Sequence, residues 1–275
     1  MKIAYLGYIL AMALGATVVG AQERPAPTLP TAADSDEIIV EGLRIPRSLL
    51  PTGVYWDYST LLGSRIRRER ADLYLGCAVR IGNVHWLRNA VDGEPNSARA
   101  RFAQGRMLQY GGCHPPLRTE GAVYSNRPIG SIDLGVSQLD RGVIMELVMR
   151  TYAPDAALTP EMVRDPAVRS RFMAREGLRN RLRLPEDRDS LLFASCLVEE
   201  QPVLATRLVR SEPGSPLERG LTQALIVEGR TCVGNTKRVT IDPSMIRAYI
   251  ADAFYRWVVA ARGTDSLIPP NPKVG

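Results

Sequence analysis

The chain has 275 residues, with 35 lysines and arginines against 29 aspartates and glutamates, a formal charge of +6, and 45% apolar residues. Arginine carries nearly all of the positive charge, lysine occurring only at Lys2, Lys237 and Lys273. So modest an excess, spread along the chain, attracts anionic surfaces weakly and gives no ground for nucleic-acid binding.

Met1 to Ala21 reads as a signal peptide. Lys2 precedes an uncharged apolar run from Ile3 to Val19, and Val19-Gly20-Ala21 supplies small residues at the last position and two before it, which predicts cleavage after Ala21. The alternative is an uncleaved anchor, since the run is nearly long enough for a hydrocarbon core of about 30 Å. No cysteine follows the run for a lipid anchor, so no stable membrane attachment is expected after cleavage. Export to the periplasm or the medium makes an even number of cysteines read as disulfides rather than as metal ligands or redox thiols.

The four cysteines allow three pairings. Cys77 to Cys113 and Cys196 to Cys232 are each separated by 36 residues, and pairing within each span makes each a self-contained unit. Either bridge would contribute roughly 3 to 4 kcal/mol by restricting the unfolded chain.

The two spans resemble each other beyond their cysteines. Leu73-Tyr74-Leu75-Gly76-Cys77-Ala78-Val79 is matched by Leu192-Phe193-Ala194-Ser195-Cys196-Leu197-Val198, and Glu94-Pro95-Asn96-Ser97 by Glu212-Pro213-Gly214-Ser215. The second pair predicts one turn made twice, with Pro fixing φ and Asn or Gly taking the left-handed conformation. Downstream, Arg141-Gly142-Val143-Ile144-Met145-Glu146 with Arg150 aligns with Arg247-Ala248-Tyr249-Ile250-Ala251-Asp252 with Arg256. Duplication is the reading we adopt; chance similarity of two ordinary helical regions is its competitor.

Residues 22–45 form a linker, Pro- and Ala-rich at first, too poor in apolar area to order itself. It ends in a short β-prone run, Asp36-Glu37-Ile38-Ile39-Val40-Glu41-Gly42. That run resembles the D-x-I-V-V-x-G stretch near the mature N-terminus of many exported alphaproteobacterial proteins, TonB-dependent receptors among them. The resemblance implies a strand added to TonB; Glu41 departs from the Thr common there, and no alternating strands of a barrel follow. A short strand or extended arm packing on the domain is the expectation. The two cysteine spans with their closing helices also resemble exported alphaproteobacterial proteins of unknown function, a resemblance that brings no activity with it.

The body is predicted to be all-α, a disulfide-stapled helical bundle of two tandem copies, residues 46–152 and 153–264, with a disordered tail at 265–275. Thr159-Pro160, Asp165-Pro166, Ser215-Pro216 and Asp242-Pro243 each put a capping side chain before a proline at the first helical position. Cysteine-bearing helices are expected near 71–80 and 190–200, further helices near 97–107 and 216–226, the second cysteine of each copy in a loop, and then a closing helix. Met245, Ile246, Tyr249, Ile250, Ala253, Phe254 and Trp257 make an apolar stripe on the last of these. Between the copies runs a helix with Arg169, Arg171, Arg175, Arg179, Arg181 and Arg183, read as a solvated face with an anion-binding face as the alternative. The stretch 114–136 is an irregular insertion of the kind that carries binding.

No motif for a metal, a cofactor or a catalytic residue emerges. His85 and His114 have no counterparts in the other copy, and no spacing marks out carboxylate ligands. Glu199-Glu200, adjacent on a helix, point about 100° apart and do not converge on one substrate bond. Cys113-His114 places a thiol beside an imidazole, but a bridged cysteine cannot attack. The expectation is a non-enzymatic binding or scaffolding module with an envelope protein as a possible partner. A cell-envelope hydrolase with an unrecognised carboxylate site and a TonB-coupled accessory, using Ile38 to Val40 as an added strand, are the alternatives.

Overall fold

In a computed structural model, residues 37–40, 43–46, 53–56, 68–69, 72–73, 75–77, 83–108, 138–234 and 238–270 are described. The chain divides into two units, 1–50 and 51–275. The first contains a hairpin of β1 (Glu37–Val40) and β2 (Leu43–Pro46), antiparallel, with Val40 opposite Leu43 and Glu41-Gly42 between them.

The second unit is helical, as the capping signals predict. Its helices include α1 (Val84–Asp92), α2 (Ala98–Leu108), α3 (Gln138–Tyr152), α4 (Pro160–Arg164), α5 (Pro166–Arg179), α6 (Pro185–Glu200), α7 (Pro202–Arg210), α8 (Pro216–Glu228), the single turn α9 (Arg230–Val233) and α10 (Pro243–Arg262). Thr159, Asp165 and Ser215 accept hydrogen bonds from the first-turn amides of α4, α5 and α8, and Asp242 does so for α10. Each cap satisfies amides that the helix itself leaves orphaned. In addition to the helices, one parallel pair of four-residue strands, β3 (Gly53–Trp56) and β4 (Arg238–Ile241), joins sequence-distant parts of this unit.

α10 is the axis of the body. Its residues 246–260 are buried without interruption, so the stripe read from the sequence is only one side of a fully enclosed helix. α3, α5, α6 and α7 pack around it. Phe172 of α5 stacks on Trp257, ring centroids 4.1 Å apart, and the Trp257 indole N–H donates to the Ser195 carbonyl of α6. Each such large apolar side chain contributes on the order of 2 kcal/mol by leaving water.

Where α3 crosses α10 the backbones touch. A methyl group on Gly142 would lie 2.4 Å from the Ala248 Cα, so only glycine fits there. Gly142 and Ala248 occupy equivalent places in the sequence alignment of the two closing helices.

α6 and α9 are joined by Cys196–Cys232, whose Cα atoms are 5.7 Å apart. Cys232 thus sits in a helical turn rather than the expected loop. Cys77 is also disulfide-bonded, whereas Cys113, His114 and the insertion at 114–136 lie outside the described residues. Residues 1–36, with the predicted cleavage site at Ala21, lie outside them too. The expected disordered tail is corrected for 265–270: Leu267 and Ile268 are apolar, join the core, and are held by the Leu267 amide donating to the Tyr255 hydroxyl.

Candidate functional site

The crossing of α3 and α10 carries two buried ion-pair centres, one on either side of Gly142 and Ala248. In the first, Arg247 donates to both oxygens of Glu146, at 3.0 and 3.1 Å, and Arg68 donates to Glu146 at 2.7 Å. Arg247 also donates to the Ser211 hydroxyl and to the Val209 and Ser211 carbonyls, and pairs with Glu218 at 3.4 Å. Burial alone would raise the Glu146 carboxyl; the Arg247 and Arg68 guanidiniums outweigh it and hold the group below the usual range.

In the second centre Asp252 accepts from Arg183 at 2.5 Å and from Arg256 at 3.2 Å, with Arg141 at 3.8 Å. Burial again works upward, and these guanidiniums hold the carboxyl well below the usual carboxylate range. Arg256 reaches on to the Val91 carbonyl at 2.6 Å and to Asp92 at 3.4 Å, while the Tyr255 hydroxyl donates to Asp92. Arg141 is the poorly matched member. Burial pushes its guanidinium down to about 9, Asp252 recovers part of that, and Arg183, Arg256 and Arg179 press it further down.

The acid of each closing helix therefore faces the arginine of the other: Arg247 with Glu146, Arg141 with Asp252. The two turns agree as well. Asn96 and Gly214 both have positive φ, 67° and 79°, and Ser97 and Ser215 cap the helices that follow through bonds of 3.2 Å.

The arginine-rich helix corrects the sequence reading. Arg171, Arg175, Arg179 and Arg183, spaced by four, are engaged by neighbouring segments rather than free in solvent, Arg183 buried and the other three half-buried. Arg171 donates to the Ala260 carbonyl, Arg175 to the Thr264 carbonyl and to Asp265, and Arg183 to Asp252. Arg179 pairs with Glu176 at 3.6 Å, and burial pushes it down to about 10. Arg169 and Arg181 lie on more open surface, paired with Glu199 and Glu94.

Beside the second centre, α1, the start of α2 and α5 enclose an open cleft of about 860 Å³. Its walls hold the acids Asp92, Glu94 and Asp265, the cations Arg88, Arg99, Arg175 and Arg179, the polar His85, Asn89 and Ser97, and the apolar Ala174 and Leu178. Each of the three acids has an arginine partner: Arg256 for Asp92, Arg181 for Glu94 and Arg175 for Asp265. Arg88 and Arg99 have no hydrogen bond or ion pair among the described residues. The enclosed Asp92 Oδ2 and Arg179 Nη1 lack a hydrogen-bond partner. A second, smaller hollow of about 290 Å³ lies against Glu146 and Arg247.

Of the residues weighed in the sequence, His85 joins the cleft and holds Asn89 through its Nε2 at 3.0 Å. Glu199 is engaged by Arg169 at 2.9 Å. Among the described residues no group of three His, Cys, Asp or Glu side chains could hold a metal ion. Sequence reasoning missed the interior charges; the signal available was that Arg141, Glu146, Arg247, Asp252 and Arg256 interrupt otherwise apolar helices. No protein-family model, no curated protein and no solved structure matches this chain.

Proposed function

We propose that the protein is an exported, non-enzymatic binding module, with the cleft between α1 and α5 as its ligand site and two copies of one helical unit as its frame. The observation that carries this reading is the cleft itself. Its back wall is pinned by Arg256 and Tyr255 bonding to Asp92, while Arg99 and Asp265 stay exposed at its mouth. A rigid, concave wall with a few convergent polar groups is the usual form of a small-molecule site.

The duplicated frame is supported by reciprocity. In an arrangement related by a two-fold axis, residue i of one copy meets j of the other and j meets i. Arg141 with Asp252 and Arg247 with Glu146 follow that rule, and Gly142 against Ala248 is the self-contact expected on the axis. Export is supported by the small-residue exit at Ala21 and by the disulfides, which belong to oxidising compartments. No helix among the described residues is long and apolar enough to cross a membrane.

A hydrolase is less well supported. Convergent carboxylates exist, but an arginine stands within each pair: Arg247 between Glu146 and Glu218, Arg256 between Asp92 and Asp252. A general acid needs a carboxyl raised toward neutrality, and Glu146 and Asp252 are displaced the other way. For a TonB-coupled accessory, the strand that would be donated already has one edge paired to β2.

The test is a nuclear magnetic resonance screen of the full mature chain against mixed neutral and charged small molecules. Shifts clustered at 85–99 and 174–179 are expected; binding that maps elsewhere would refute the cleft as the site.

A further inference from the structure

We infer that the cleft takes a small ligand bearing a single carboxylate, anchored by Arg88 of α1 and Arg99 of α2, with hydrogen-bond donors beside it. The inference rests on the cleft being the ligand site and names what that site would accept. Its ground is charge matching. Every carboxylate on the cleft walls is engaged by an arginine, and Arg175 and Arg179 are engaged by carboxylates, so Arg88 and Arg99 remain as the cations without a partner among the described residues. Arg99 stands in the first turn of α2, where the positive end of the helix adds to its field.

The guanidinium fork suits a planar carboxylate, which it can bind through two parallel hydrogen bonds. The neighbouring acids set the rest of the ligand. Glu94 has both oxygens occupied by Arg181, and Asp265 gives one oxygen to Arg175 while its side chain is 89% exposed. Asp265 can therefore accept from a ligand hydroxyl or amino group, and the acids together repel a second negative charge. Leu178, 69% exposed, offers contact to a short apolar portion. A polyanion such as nucleic acid does not suit this wall; an amino acid, a short peptide held by its C-terminal carboxylate, or a sugar acid does.

The experiment titrates the full mature chain by nuclear magnetic resonance and calorimetry with trialanine, trialanine amide, glucuronate, glucose and inorganic phosphate at millimolar concentrations. A carboxylate probe is expected to bind at least about tenfold more tightly than its neutral partner, and R88Q and R99Q each to lose about tenfold with an unchanged melting temperature. Trialanine and glucuronate distinguish a peptide end from a sugar acid. Equal affinity for the acid and neutral forms, or R88Q and R99Q without effect, while cleft resonances still move, would overturn the carboxylate anchor and leave the binding site standing. Tighter binding of phosphate than of either carboxylate would overturn the single-charge argument. If no probe, charged or neutral, moves a cleft resonance, both the anchor and the site fall.

Discussion

Arg247 and Arg141 occupy equivalent places in the two closing helices, yet replacing each by methionine is expected to have very different consequences. Arg247, 1% exposed at its side chain, makes two bonds to Glu146, one to the Ser211 hydroxyl and two to backbone carbonyls. Removing it leaves Glu146 buried with Arg68 alone and strands the Val209 and Ser211 carbonyls. Breaking a buried pair in this way costs about 3 to 5 kcal/mol. Arg141 makes one long bond, 3.4 Å to the Ala90 carbonyl, and stands 3.8 Å from Asp252, with Nε and Nη2 enclosed and lacking hydrogen bonds. Asp252 keeps Arg183 and Arg256 without it. Methionine retains the apolar stem and removes the poorly satisfied head, so R141M should change stability by less than about 1 kcal/mol in either direction. Urea unfolding under oxidising conditions, comparing midpoints at constant slope, measures both. Similar losses for R141M and R247M would refute the reasoning that hydrogen-bond satisfaction, rather than position in the frame, determines what each arginine contributes.

Four further outcomes follow from particular contacts. Gly142→Ala forces a methyl into the Ala248 backbone and should cost about 1 to 3 kcal/mol or more in thermal unfolding; a neutral result would mean the helices do not cross there. Gly214→Ala meets nothing within 4 Å, so only the positive φ opposes it and a loss of about 1 to 2 kcal/mol is expected by urea titration; a loss below a few tenths would contradict the left-handed turn. Asp252 and Glu146 have folded-state values below their unfolded 3.8 and 4.5, so their stabilisation is fully present above those values and is lost as pH falls below them toward the folded-state values. Urea midpoints should therefore hold steady down to about pH 4.5 and drop below it, and a midpoint unchanged at pH 3 would contradict the pairing. The double replacement C196A/C232A should cost about 2 to 4 kcal/mol, read as a lowered urea midpoint against the oxidised parent.

Local features were legible because their causes are local. Thr159, Asp165, Ser215 and Asp242 cap amides within three residues of themselves, and Asn96 and Gly214 answer to the Pro before them. The arginine helix departs from its sequence pattern for the opposite reason. With few apolar members it looks solvated, and the groups that turn it inward, Asp252 and Asp265, lie 69 and 90 residues beyond Arg183 and Arg175. β3 and β4 leave no local signal because four residues of extended chain gain a strand's stability only from a distant partner. The cleft was legible only in part. His85 and the arginines of α5 stand out in the sequence, but that Arg88 and Arg99 share a wall with Asp265 depends on how α1, α2 and the segment after α10 meet. Arginine and acid in register in both closing helices was visible in the sequence, and its meaning, reciprocal pairing, required the crossing at Gly142.

The most direct measurement is hydrogen exchange on residues 22–275, with and without millimolar trialanine or glucuronate, for wild type and the double variant R88Q/R99Q. The binding-module account predicts added protection confined to residues 85–99 and 174–179 in the wild type and its loss in the variant. Protection centred elsewhere, or unchanged exchange across those segments in the wild type, would contradict it.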